Sequence, residues 1–306
     1  MEPHTVSNLT YAPSVYRINF FLLFIGMGLF IFPAFSSNEA HAAPKLGRLT
    51  FQAAFGNQPV SCARTISPVG TSDNTVRIND LRFYIHDVAL LTKDGRAVLV
   101  KPGPSGLWQR DGIALIDLID RNIPCSDTTP SPNSAISFVW PQGHFTGLRF
   151  TVGLPMAANH GDPTIAQPPL NMTSMFWTWQ SGYRFFTLDI TMIPKPGDKA
   201  RPHGFPVHIG STGCESASAV EAPKGACTAP NLVTVTLPEF DPAHQTVKLD
   251  ISRLLALSNV STNQINSAPG CMSGPDDKDC AGVFREFGLP FGSETSPPAQ
   301  SVFRGR

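Results

Sequence analysis

The residues of this chain best suited to soft-metal or redox chemistry are Met175-Phe176-Trp177-Thr178-Trp179-Gln180-Ser181-Gly182-Tyr183 and, downstream, His208-Ile209-Gly210-Ser211-Thr212-Gly213-Cys214. The first stretch holds half of the four tryptophans, with a thioether two residues before the first indole. An imidazole and a thioether are ligand types that can hold a soft metal ion. The same side chains could equally fill a core, since Trp and Met are bulky, adaptable packers. Strand geometry would put Met175, Trp177 and Trp179 on one face and Phe176, Thr178 and Gln180 on the other.

Three histidines are ligand candidates. His160 sits in the loop Asn159-His160-Gly161-Asp162-Pro163, where it is either a solvated turn residue or a ligand. The proline-rich segment Ala166-Gln167-Pro168-Pro169-Leu170-Asn171 leads from that loop into the tryptophan stretch. His208 points away from the apolar row Phe205, Val207 and Ile209. His86 shares its strand face with Arg82, Tyr84 and Val88, a mixture that fits a site wall or a buried hydrogen-bond network. His144, His203 and His244 fall in turns and are expected to be exposed.

The elements that must position these groups repeat with period two. Leu49, Phe51, Ala53 and Phe55 alternate, as do Ile136, Phe138 and Trp140, and then Leu148, Phe150, Val152 and Leu154. The pattern returns at Phe186, Leu188, Ile190 and Met192, at Phe205, Val207 and Ile209, at Val233, Val235 and Leu237, and at Val247, Leu249 and Ile251. Such alternation marks half-buried strands. Turn signals at 93–95, 141–143, 194–197 and 241–242 separate them. The expected fold is all-β, an antiparallel β-sandwich with long loops and disulfides and little helix. Only 251–257 and 281–287 read as short helices. The domain is expected over 43–290, with 291–306 a flexible C-terminal tail.

Residues 1–42 read as a signal peptide, with Arg17 before the apolar run 20–32 and Ala40-His41-Ala42 as a cleavage pattern. An uncleaved N-terminal anchor is the alternative. No later stretch approaches membrane-spanning length, so no stable span is expected once the leader is removed. The six cysteines, Cys62, Cys125, Cys214, Cys227, Cys271 and Cys280, all follow the leader, which favours disulfides in an exported chain. Short spacings favour Cys214–Cys227 and Cys271–Cys280, leaving Cys62 with Cys125. None forms a CxxC pair, which argues against a zinc ribbon.

Lys plus Arg and Asp plus Glu are equal at 23 each, so charge gives no reason to expect nucleic acid as a partner. G-x-S-x-G, H-E-x-x-H and phosphate-cradling motifs are absent. A zinc hydrolase on the three histidines lacks a recognisable general base, and Asp276-Asp277 is expected to be solvated. An enzyme is therefore not expected. The residues alone leave a metal site and a disulfide-stapled binding module with a structural Trp pair both open.

Taken together, Arg82-Phe83-Tyr84-Ile85-His86-Asp87-Val88, Asn159-His160, the Met175–Tyr183 stretch, His208–Cys214 and Cys271-Met272-Ser273 resemble the MbnP-like family, the four-Cys metallo-mystery pair proteins with a WxW signature. The resemblance runs from about Leu49 to Phe287. It implies a periplasmic copper-binding protein of copper homeostasis, partnered by a MauG-like diheme cytochrome c peroxidase that oxidises a tryptophan to kynurenine. On this chain the oxidised residue would be Trp177 or Trp179, with Trp177 favoured as nearer the loop carrying His160. The ligands would come from His86, His160 and His208, with Met175 a weak one.

Overall fold

A computed structural model describes residues 45–103, 105–119, 132–195, 197 and 203–306. The expected signal peptide lies outside the described residues, and the account below concerns the unit Ala43–Arg306. In chain order its elements are β1 (Leu46–Phe55), β2 (Gln58–Pro59), β3 (Thr65–Val69), β4 (Asn74–Leu91), β5 (Ala97–Leu99), β6 (Gln109–Arg110), β7 (Ile113–Asp117), β8 (Ala135–Val139), β9 (Gly147–Val152), α1 (Met156–Asn159), β10 (Phe176–Thr178), β11 (Gly182–Tyr183), β12 (Phe186–Met192), β13 (Gly204–Ile209), β14 (Val233–Leu237), β15 (Thr246–Asp250), α2 (Ile251–Leu254), α3 (Ala281–Phe287) and β16 (Phe303–Gly305). No described helix is long and apolar enough to cross a membrane.

The period-two runs form two sheets that bury their apolar faces against each other. The smaller has the order β16-β15-β1-β2 with β8 also on β1; the larger runs β13-β12-β4-β7-β6, with β3, β5 and β9 on β4 and β14 on β9. Phe51 of the small sheet meets Phe83 and Phe150 of the large one edge-on at 5.8 and 5.6 Å. Phe303 meets the same two rings at 5.5 and 5.6 Å. Edge-to-face contacts of this kind add to the burial of large aromatic area. The all-β sandwich expected from the sequence is present; among the described strand pairs β1 and β15 run parallel and the others antiparallel.

Strand β4 departs from simple alternation twice. Its pairing with β12 shifts register near Asn79, and its pairing with β9 shifts between His86 and Ala89, where Asp87 takes φ +50°. Each bulge adds one residue and flips the faces beyond it. Leu81, Phe83 and Ile85 therefore face the main core, and beyond the second bulge so do Val88 and Leu90. Arg82, Tyr84 and His86 face the other way, and the expectation that Val88 joins them is corrected by the bulge.

The C-terminal segment is not a flexible tail. Val302 and Phe303 are buried, and β16 pairs with β15, Phe303 opposite Leu249. Polar residues and prolines at 293–299 hide this short strand, but Phe303 fills the gap between the two sheets. The expected helices form at Ile251–Leu254, capped by the Asp250 side chain, and at Ala281–Phe287, closed by Gly288 at φ +68°. Asp277, expected in solvent, is buried where its carboxylate caps the turn at Asp279 N, whereas Asp276 is exposed. His144 and His244 are exposed as expected; His203 is half-buried.

Disulfides close Cys214–Cys227 and Cys271–Cys280, as the spacing predicts. Cys62 is also disulfide-bonded, and its expected partner Cys125 lies outside the described residues.

Candidate metal site

The outer face of the large sheet carries the polar residues left over by the alternation. Registers align Arg82 of β4 with Thr187 of β12, and Thr187 with His208 of β13, in one row across the sheet. Above that row lies the tryptophan stretch, folded as a 3-10 turn at Thr173–Met175 followed by the β10–β11 hairpin. Arg82, held by the buried carboxylate of Asp80, donates from Nη1 to Ser174 Oγ at 2.9 Å and so ties the turn to the sheet. Tyr84 and Tyr183 donate to the carbonyls of Pro169 and Leu170, which fastens the proline-rich segment over the same face. A second apolar cluster, including Tyr84, Leu115, Leu154, Met175, Tyr183 and Phe185, fills the space beneath.

Within this layer His208, Met175 and Trp177 come together. Met175 is fully buried, and its sulfur accepts from Thr187 Oγ1 at 3.6 Å, beside His208 in the cross-strand pair. The Trp177 ring lies 6.5 Å from the His208 ring, tilted by 50°, with the Arg184 guanidinium 6.0 Å above its face. Gly210 makes the approach of Trp177 feasible, because a Cβ there would stand 2.7 Å from Trp177 Cζ3 and 2.8 Å from Tyr183 O. Burial pulls the pKa of Arg184 below its usual value.

His208 is held in one tautomer. Its Nε2 lies 2.7 Å from Asp189 Oδ1, a carboxylate that accepts an Nε2 proton, which in the neutral ring leaves the lone pair on Nδ1. That Nδ1 is buried and meets no hydrogen-bond partner among the described residues. A buried polar atom left unpaired costs about 1–3 kcal/mol, and such an atom in a native fold calls for a reason. An imidazole with one nitrogen tied to a carboxylate and the other bare is the arrangement found at metal ligands. A bare imidazole nitrogen is a donor that fits copper, and the thioether of Met175, which meets Thr187 opposite His208, is a soft donor in the same layer.

The other two histidines are placed differently. His160, expected in a loop, is buried at the end of α1, with Nδ1 donating to Trp179 O at 3.0 Å and Nε2 accepting from Asn159 Nδ2 at 3.1 Å. Asn159 also donates to Ser211 Oγ and accepts from Tyr183 N, and it fits only because Gly182, at φ +76°, has no Cβ to strike it. His160 Nε2 is 3.7 Å from Cys227 Sγ, within a cluster of His160, Cys214 and Cys227 whose ligand atoms lie within 4.8 Å of one another. In the disulfide those sulfurs are not thiolates. His86 donates from Nδ1 to Gly153 O at 2.9 Å and has Nε2 3.6 Å from the Asp87 carboxylate. Strand spacings put the His86 backbone roughly 16 Å from that of His208, too far for one ion to bridge two imidazoles rising from the same face. Burial lowers the pKa of both His86 and His160, keeping them neutral.

The two tryptophans also separate. The pairing of β10 with β11 is irregular between Phe176 and Thr178, and alternation ends there. Trp179 then packs edge-on against Phe176 at 6.2 Å, while its carbonyl meets His160. Met175, Trp177 and Trp179 therefore do not share one face. The loop histidine meets Trp179, not Trp177, which removes the ground on which the sequence favours Trp177.

Asp189 and Arg184 escaped the sequence reading, which named Asn159 only as the neighbour of His160 and Ser211 only within the His208–Cys214 stretch. Asp189 was within reach of it: pairing the strand at 186–192 with that at 204–209 across the 194–197 turn sets Asp189 diagonal to His208 on the non-core face. Asn159 and Arg184 depend on loop paths that alternation does not encode. A broad cleft of about 1020 Å³, bordered by Lys45, Trp140, His144, Phe240 and His244, contains none of the predicted site residues.

The family model of MbnP matches residues 45–273. Among solved structures, MbnP from Methylosinus trichosporium aligns with a TM-score of 0.75 at 28% identity, covering 86% of this chain and 99% of that one. No curated protein matches the chain.

Proposed function

The chain belongs to the MbnP family, and from that premise we propose that it is a copper-binding protein whose site is centred on His208. The bare, buried Nδ1 of His208, its Nε2 fixed by Asp189, is the observation that carries the reading. Family membership supports a metal-related role. Met175 would add a soft thioether, which favours Cu(I). Copper bound there would be stored or passed on, and the chain itself would be no enzyme.

Trp177 is the better candidate for oxidation to kynurenine, because its ring already lies beside His208. Kynurenine carries an aromatic amine where the indole had a ring N–H, so the modification would create a ligand next to the imidazole. Arg184 over the ring face makes it costly to draw an electron from Trp177. The oxidant must therefore be strong, which fits a peroxide-driven diheme partner of the MauG type. His160 and His86 fall outside this set by position, His160 lying against Trp179 O and Cys227 Sγ and His86 against Gly153 O, too far along the sheet from His208. With residues 1–42 as signal peptide, the protein would work in the periplasm.

Copper titration of the oxidised protein tests this. The wild type should bind copper stoichiometrically and His208→Ala should not, while His86→Ala retains binding. Unchanged affinity in His208→Ala would overturn the assignment. Binding lost only in His86→Ala would move the site to β4.

A further inference from the structure

We propose that Cys214, Cys227 and His160 form a second, redox-gated site that takes Cu(I) once the Cys214–Cys227 disulfide is reduced. This goes beyond the His208 site, shares no ligand with it and does not depend on it.

The three groups are already assembled. His160 Nδ1 is anchored to Trp179 O, so the lone pair is on Nε2, which lies 3.7 Å from Cys227 Sγ. Thiolate and imidazole bonds of about 2.3 and 2.0 Å to one metal ion separate the two ligand atoms by roughly 3.5–3.7 Å. The imidazole is thus at ligand distance before any metal arrives. Asn159 Nδ2, which now faces Nε2, keeps Ser211 Oγ at 2.6 Å as an alternative partner when the lone pair is withdrawn. The cluster holds no carboxylate, leaving two sulfurs and one nitrogen. Soft thiolates select Cu(I), whereas structural zinc sites are almost always closed by a fourth ligand.

Reduction can reach this bridge ahead of the other described one. Cys214 and Cys227 are 7% and 8% exposed, and an open cleft of about 520 Å³ touches their neighbours Glu215, Ala226 and Thr228. Cys271 and Cys280 are fully buried. A dithiol reductant of the thiol–disulfide oxidoreductase class would attack one sulfur as thiolate, break the Sγ–Sγ bond and form a mixed disulfide. Its second thiol then closes the reductant's own disulfide and releases the cysteine. Two electrons and two protons pass to Cys214 and Cys227, and Cu(I) binding displaces the thiol protons as the thiolates coordinate.

The test uses purified protein reduced mildly with a phosphine, freed of reductant without oxygen, and titrated with Cu(I) in competition with bathocuproine disulfonate. The reduced protein should bind one Cu(I) more than the oxidised protein. The additional ion should vanish in Cys214→Ser/Cys227→Ser, weaken more than about tenfold in His160→Ala, and persist in His208→Ala. Equal stoichiometry in the two redox states, or an additional ion that survives in Cys214→Ser/Cys227→Ser, overturns the proposal. The oxidised arm reports on His208 separately, so failure of one site is not failure of the other. Should the serine variants not fold, iodoacetamide labelling of reduced wild type decides: Cu(I) must protect Cys214 and Cys227 from alkylation, and labelling unchanged by Cu(I) refutes the site.

Discussion

Gly210→Ala probes the contact that seats Trp177 against β13. An ideal Cβ at this position falls 2.7 Å from Trp177 Cζ3, 3.3 Å from Cε3 and 2.8 Å from Tyr183 O. Comfortable carbon contacts begin at about 3.5 Å, so the indole must withdraw by nearly an ångström. Tyr183 O belongs to the backbone of β11 and has less freedom. Gly210 is held from both sides as well, its N–H by Ser273 Oγ at 3.0 Å and its carbonyl by Asn231 Nδ2 at 2.8 Å. Overpacking of this kind costs about 1–3 kcal/mol, and two rigid obstacles place this variant in the upper half of that range. Urea unfolding followed by circular dichroism measures the loss, and native indole emission should shift as Trp177 leaves its seat. Gly161→Ala is the control, because a Cβ there meets nothing within 4 Å. A Gly210→Ala protein as stable as the control, with unaltered emission, would show that Trp177 does not pack on β13 as described.

Asp189→Asn keeps the size of the side chain but removes the carboxylate that fixes the His208 tautomer, and copper affinity should fall by about 10–100-fold, read by chelator competition. Phe303→Ala should destabilise the fold by about 3–5 kcal/mol in urea, as expected for a buried aromatic; a loss typical of an exposed residue would return the C-terminus to a tail. His86 and His160 have pKa values below the unfolded value of about 6.5, so the unfolded chain takes up protons that the native state refuses. Their contribution to stability is complete above that pH and is lost as pH falls through their folded values. The urea midpoint should decline below about pH 6.5, and His86→Asn, which can still donate to Gly153 O, should decline less steeply.

The sheets were readable because burial on one side of a strand leaves a period-two trace, and Phe205-Pro206-Val207-His208-Ile209 even indicated which way His208 points. The bulge at Asp87 left no such trace: it moved Val88 to the core face, and it is marked by the register shift against β9 and the positive φ at Asp87. The local disulfides were legible from short spacing, whereas β16 was concealed by the polar, proline-containing run before it. At the site, residue types named His160, His208, Met175 and the tryptophans, but the grouping was tertiary. His160 went to Trp179 through α1 and the hydrogen bonds of Asn159, and His208 went to Trp177 because Gly210 is small. Long loops fold according to such partners, and their partners lie far away in sequence.

Anomalous diffraction at the copper absorption edge, from crystals of the oxidised protein soaked in copper, tests the central claim most directly. A peak within bonding distance of His208 Nδ1, with Met175 and residue 177 around it, is the predicted result. A peak at His86 or at the surface histidines, with none beside His208, would contradict it.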